Sequence, residues 1–466
     1  FMNTRKDYEL ETLPLELPDE IIKYKMSGDF KGAEDAADRW LKKPLPEALK
    51  QRIRIEQDFL KKLPQQYPFT SEELIRLFQE EIPDFNEDDL NRLDQDGLVE
   101  WIFLDGKKHY ISSAVENAMR IDPELHMRSN PENLPSKEFI CLQEVLQEMR
   151  EKGSATRIFR MRVSIRLKDE KFYPGITLKA HLPLPALYSP VEKVQILSHS
   201  RGNVTIDPED SLTRTICIET TLQQNVPFFV EYEYTVRSIY VDLWQDLPVL
   251  LPEEARFKMA EPCKADVEEQ LPHIRFTPYL KLLASEIRGE ETNPLAVARR
   301  IYNYITKNVT YSYMRNYSLI PDIPQYCARN LRGDCGVQAL LFITLCRICG
   351  IPARWQSGLY TNPISAGPHD WALFYTKEYG WRPADLSFGG SAKRTDDEMR
   401  RKLYFGNTDP FRMPANHAFQ HPFSVKKSFM RIDPYDNQCG ELESELCGFT
   451  SDELETTREL LSVVVI

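Results

Sequence analysis

The sequence predicts a multidomain α+β protein: an N-terminal helical domain, an antiparallel β-sandwich, and then a mixed α+β core. Three observations point there. A chain of 466 residues exceeds the ~250–300 residues at which single hydrophobic cores stop growing. Its apolar spacing is helical through the first third and changes to a period of two near residue 153. After a Pro-rich, acidic stretch at 247–274, a helical pattern returns and gives way to short aromatic runs split by Gly and Pro, the mark of helices packed on an antiparallel sheet.

Residues 1–152 read as mainly helical. Apolar positions recur at helical spacing in PEALKQRIRIEQDFLKKL and in TSEELIRLFQEEI, the latter opened by a Thr70 or Ser71 cap with acids behind it. Two alternating runs then flank Asp105-Gly106, a hairpin signal. Helices, a ribbon and another helix in that order resemble a winged helix. The region is rich in Asp and Glu, which argues for a scaffold and against a reader of nucleic acid. Residues 153–250 read as the antiparallel β-sandwich, from TRIFRMRVSIRLK, GITLKAHLPLP, VEKVQILSH, RTICIETTL and PFFVEYEYTVRSIYV. Residues 251–440 read as the α+β core, and 441–466 as a C-terminal tail.

Composition narrows the partners. With 59 basic against 71 acidic residues the formal charge is -12, which disfavours nucleic acid and anionic membrane. No apolar run reaches the ~18 residues of a membrane span, and the first twenty residues are too polar and acidic for a secretory leader. Nine cysteines, an odd number without small-domain spacing, suit reduced thiols. The expected location is the cytoplasm.

Chemistry is concentrated in RGDCGVQALLFITLCRICGIPARW, residues 332–355. Val337, Leu340, Leu341, Thr344, Leu345 and Ile348 fall at helical spacing, and Gly350 with Pro352 ends the helix. Cys335 therefore stands at a helix start, where unpaired N–H groups and the helix dipole favour a thiolate. Asp334 would raise that thiol unless, as the N-cap, it turned toward the helix N–H groups. Gly333 and Gly336 are expected to leave room for a substrate backbone.

A thiol nucleophile needs a base and a group to orient the base. His369 begins an aromatic strand, and Asp385 lies on the strand that follows. Their even separation lets both project from one sheet face, directly opposite if the hairpin axis falls near Lys377. Asp370 points to the other face and cannot orient His369. Trp371 shares the His369 face as a candidate wall of the substrate site. Cys346 and Cys349 form a C-x-x-C inside an apolar helix with no second ligand pair, so neither metal nor cofactor is expected.

These segments together resemble the core of the bacterial transglutaminase-like superfamily, whose fold is papain-like. GDCG matches its nucleophile position, GIPARW its strand entry, HDW its histidine strand, and GWRPADLS its aspartate. The resemblance implies a Cys335, His369, Asp385 triad. It also implies an upstream side chain assisting the oxyanion, for which Tyr313 is the candidate taken among Tyr311, Tyr313 and Gln325. YFGNTDPFRMP resembles a segment that follows the core, and its Asn407, Asp409 and Arg412 are read as ordinary loop residues. The expected function is a cysteine-dependent acyl-transfer enzyme on a peptide or protein substrate, a peptidase or amidase. A cross-linking transglutaminase and a non-catalytic peptide- or protein-binding module on the same fold stay open, as does oligomeric state.

Overall fold

Helix starts fall where capping side chains stand. Thr70 opens Ser71–Glu81 with a reciprocal capping box to Glu73, and Asp334 opens Cys335–Ile348 by accepting from the Val337 N–H at 3.2 Å. The computed structural model describes residues 10–466 apart from 133, 246–250, 252 and 393–395. The first part of the Pro-rich stretch, and the chain start weighed as a leader, thus lie largely outside the described residues.

The N-terminal region is helical through Lys137–Lys152, broken by the ribbon Trp101–Leu104 with Lys107–Tyr110. Asp105 and Gly106 both take positive φ at its turn, the conformation that the Asp-Gly pair favours. Leu74, Phe78, Leu93, Tyr110, Ala118 and Leu125 join the ribbon and its flanking helices in one cluster.

Two four-stranded antiparallel sheets follow. One runs Leu454–Val465, Ser154–Leu167, Phe228–Ile239, Val191–His199; the other runs Glu441–Ser444, Ile176–Pro183, Thr215–Leu222, Asn203–Ile206. The chain end is therefore not a tail. Leu454–Val465 pairs along Ser154–Leu167, and Glu441–Ser444 pairs with Ile176–Pro183, so residues after 440 complete sheets begun near residue 154. Inward residues of both sheets, among them Phe159, Leu178, Ile218 and Tyr234, share one buried cluster with the core.

In the core, Cys335–Ile348 lies against the sheet Gly380–Ala384, Ala366–Thr376, Ala353–Thr361, Arg412–Asn416. Helices Pro278–Arg288, Pro294–Asn308 and Ile323–Asn330 cover its other sides. Every residue from Gly336 to Arg347 is buried, so this helix is a central rod, not the one-faced helix its spacing suggested. Phe342 meets Phe374 edge-on with ring centroids 6.0 Å apart. That contact identifies the face of the Ala366–Thr376 strand on which the helix sits.

Candidate active site

Side-chain alternation along that strand divides the site in two. Residues paired directly across two strands share a face: Asp370 lies opposite Ser357, and His369 opposite Gly358. Asp370, with Ala372 and Phe374, takes the helix side. The Cys335 S–H donates to Asp370 Oδ2 at 3.4 Å.

His369 points to the reverse face, where Trp371 stacks on it with centroids 5.8 Å apart and Phe388 and Tyr360 meet it edge-on. There His369 Nε2 bonds Asp385 Oδ2 at 2.7 Å. Asp385 stands just past the end of its strand as the N-cap of Leu386–Ser391, accepting from the Phe388 N–H at 3.0 Å. The register pairs Ala372 with Ala384 and Thr376 with Gly380. The hairpin axis thus falls at Glu378 instead of Lys377, and Asp385 reaches His369 diagonally.

Arg412, read from sequence as a loop residue, completes this group. It starts the strand paired with Tyr360 and is 0% exposed. Its Nη2 donates to Asp385 Oδ2 at 2.8 Å, its Nη1 pairs with Asp409 at 3.3 Å, and the Tyr404 hydroxyl donates to Asp409 at 2.6 Å. Burial alone would raise Asp385, but His369 and Arg412 outweigh it and hold the carboxyl well below its usual range. Burial lowers His369, opposed by Asp385, which favours the neutral imidazole.

The Cys335 side has the opposite electrostatics. Burial first, then Asp370 and Asp334, push the thiol well above its usual value. Asp334 caps the helix as the sequence suggests, yet its carboxyl, raised to about 6 by burial and bonded by the Tyr317 hydroxyl, still acts on the sulfur. The glycines leave no open floor. A Cβ at Gly336 would stand 2.6 Å from Asp370 Oδ2, and one at Gly333 would run into Val337. The space expected for a substrate backbone is filled by the protein's own side chains.

Two further expectations are corrected by placement. Trp371 is 1% exposed, its indole N–H donating to Gln356, so it covers the imidazole and does not wall a substrate site. Tyr313 belongs to the contact with the N-terminal helices. Its hydroxyl accepts from Arg120 at 3.1 Å, while Asn117 accepts from its N–H at 2.7 Å and donates to its carbonyl at 3.0 Å. The aromatic residues that act on the Cys335 side are Tyr317, which bonds Asp334, and Tyr311. Asn117, only 4% exposed, thus ties the helical region to the loop carrying both. Asn117→Ala leaves the partly buried Tyr313 N–H without its partner and the Tyr313 carbonyl with only the Ser312 hydroxyl at 3.5 Å, and is expected to cost about 1 kcal/mol, with faster amide exchange confined to residues 311–317, read by hydrogen-exchange mass spectrometry.

The structure therefore assembles His369, Asp385 and Arg412 on one face and Cys335 with Asp370 on the other. Among the described residues no hydrogen bond joins the thiol to the imidazole.

A family model of the transglutaminase-like superfamily matches residues 281–386, a span that contains Cys335, His369 and Asp385. Among curated proteins, an uncharacterized protein of Haemophilus influenzae is 28% identical over 191 residues, 33% of this chain and 51% of that protein. The chain thus spans about half the length of that relative. Two solved structures are similar at low TM-scores. A candidate cysteine protease from Cytophaga hutchinsonii has a TM-score of 0.39 at 16% identity, over 66% of this chain and 91% of that one. The periplasmic domain of TgpA from Pseudomonas aeruginosa has a TM-score of 0.28 at 14% identity, over 56% and 96%. The family match thus makes residues 281–386, the segment that carries Cys335, His369 and Asp385, a transglutaminase-like core.

Proposed function

We propose that the protein is a cysteine-dependent acyl-transfer enzyme, a peptidase or amidase acting on a peptide or protein in the cytoplasm. The observation that carries this reading is the buried His369–Asp385 pair at 2.7 Å, next in the chain to the residue that holds the Cys335 thiol. With Nε2 committed to Asp385, His369 keeps Nδ1 for the thiol proton. Asp385, held ionised by Arg412, fixes the tautomer and stabilises the imidazolium that forms.

In this mechanism the thiol first leaves Asp370 and moves past the strand edge to His369, passes its proton to Nδ1, and the sulfur attacks the amide carbonyl. His369 returns the proton to the departing amine, and water, activated by the same imidazole, releases the acid. The Cys335 N–H at the helix start is available to the oxyanion. Hydrolysis is favoured over cross-linking, because an amine acceptor requires water to be kept out. The two four-stranded sheets are read as one β-sandwich closed by residues 441–465, with the helical region as a domain that braces the 311–317 loop.

One observation favours a second reading, a non-catalytic module that binds peptide or protein: the thiol is bonded to Asp370 and not to His369. Digestion of a peptide library by the full chain, read by mass spectrometry, separates the two. New termini produced by the wild type and absent with Cys335→Ala are expected. No cleavage, or equal cleavage by the variant, supports the binding module.

A further inference from the structure

The surroundings of Cys335 are acidic. Asp370 lies 3.4 Å from the sulfur, and Asp334 and the phenols of Tyr311 and Tyr317 border the same space. Asp436 and Asp433, from the irregular segment between strands Arg412–Asn416 and Glu441–Ser444, stand behind Asp370, with Arg431 acting on both. Among the described residues neither Asp334 nor Asp370 is ion-paired.

The Asp370 carboxyl is nonetheless held in place. Gln438 donates to Asp370 Oδ1 at 2.6 Å and to the carbonyls of His369 and Gly358 at 3.0 and 3.2 Å. One amide thus ties the carboxyl to the two strands beneath it. Gly336 makes the seat, since any Cβ there would collide with Asp370 Oδ2. A helix start, a seated carboxyl and a side chain that fixes it form a three-part arrangement aimed at the sulfur.

We propose that Asp370, seated over Gly336 and held by Gln438, is a positioning residue that keeps Cys335 a protonated thiol turned away from His369. This rests on Cys335 being the reactive group of the acyl transfer proposed above. A thiol donating to a carboxylate in a poorly solvated site loses that bond and gains a like charge when it ionises, so both effects hold the proton on sulfur. The thiol's own direction agrees: burial, then Asp370 and Asp334, push Cys335 well above its usual value, and the bond from Cys335 opposes the burial, Asp436 and Asp334 that raise Asp370. Reaction at sulfur therefore requires the Asp370 contact to be displaced.

The test is the rate of Cys335 alkylation by iodoacetamide from pH 6 to 10 on the full chain, read by peptide mapping. The wild type is expected to label slowly, with its inflection above the ordinary thiol value of about 8.5. Asp370→Asn is expected to label about tenfold faster at pH 8, with the inflection moved down by about one unit. Gln438→Ala moves the profile the same way by less, and serves as the test if Asp370→Asn does not fold. A profile unchanged or slowed in the folded variants overturns the proposal. Because alkylation needs no substrate, the two ideas fail separately. A shifted profile with no peptide cleavage sinks the enzyme alone, whereas Cys335-dependent cleavage with an unmoved profile sinks the role of Asp370 alone.

Discussion

Arg412→Met lowers the stability of the core by about 3–5 kcal/mol, the loss typical of removing one partner from a buried charge group. Arg412 stands between Asp385 and Asp409 at 2.8 and 3.3 Å, with no exposure, and its removal leaves two buried carboxylates with one fewer cation. The pH dependence follows from the same charges. Asp385 titrates below its unfolded value, so in the wild type its stabilisation is present above about pH 3.9 and is lost as pH falls through the folded value. Without Arg412 the Asp385 carboxyl keeps His369 but loses a second charge that holds it down, so less of its stabilisation is left to lose in acid and the deficit is larger at pH 8 than at pH 3. Adding Asp409→Asn to the variant restores part of the loss. Urea unfolding of the single and double variants at both pH values measures this. A change below about 1 kcal/mol, in the range of ordinary surface pairs, would show that Arg412 does not compensate these charges.

His369→Ala reduces kcat by about 10²- to 10⁴-fold on any peptide the wild type cleaves, the range that general acid–base catalysis supplies. KM changes little, because His369 meets the thiol and the leaving amine, not the ground-state peptide. The wild type carries a diagnostic limb in its pH profile. Burial lowers His369 despite Asp385, so the acidic limb of kcat/KM lies below the ordinary imidazole value of about 6.5 and is absent from the residual activity of the variant. Steady-state kinetics from pH 4 to 9 on both proteins check this. An acidic limb preserved in the variant would remove His369 from the base role.

Local signals were legible in the sequence wherever one or two residues decide the conformation. The Asp334 cap and Gly350 stop of Cys335–Ile348, the Asp105-Gly106 turn and the shared face of His369 and Asp385 all follow from short-range chemistry. Alternation also separates His369 from Asp370, but it does not reveal which side of the strand receives the helix. That choice depends on packing between residues far apart in the chain. Here it puts the Cys335 thiol against Asp370.

The same reason hid Arg412 and the chain end. YFGNTDPFRMP has the polar, turn-rich composition of a loop, and only the pairing of Arg412 with Tyr360 carries the guanidinium to Asp385. Leu454–Val465 finds its partner in Ser154–Leu167, roughly 300 residues earlier, a pairing that no local pattern encodes. Tyr313 shows the complementary error. An aromatic residue upstream of the nucleophile suits an oxyanion role by type, but the Asn117 and Arg120 contacts that take it come from another region of the chain.

The central claim is that Cys335 forms a covalent acyl intermediate with His369 as its base. The most direct measurement mixes the full chain with a p-nitrophenyl ester, follows the nitrophenolate burst, and maps the acylated residue by mass spectrometry after acid quench. The account predicts a thioester on Cys335, lost in Cys335→Ala and formed far more slowly in His369→Ala. Acylation at another nucleophile, or acylation of Cys335 at the same rate without His369, would contradict it.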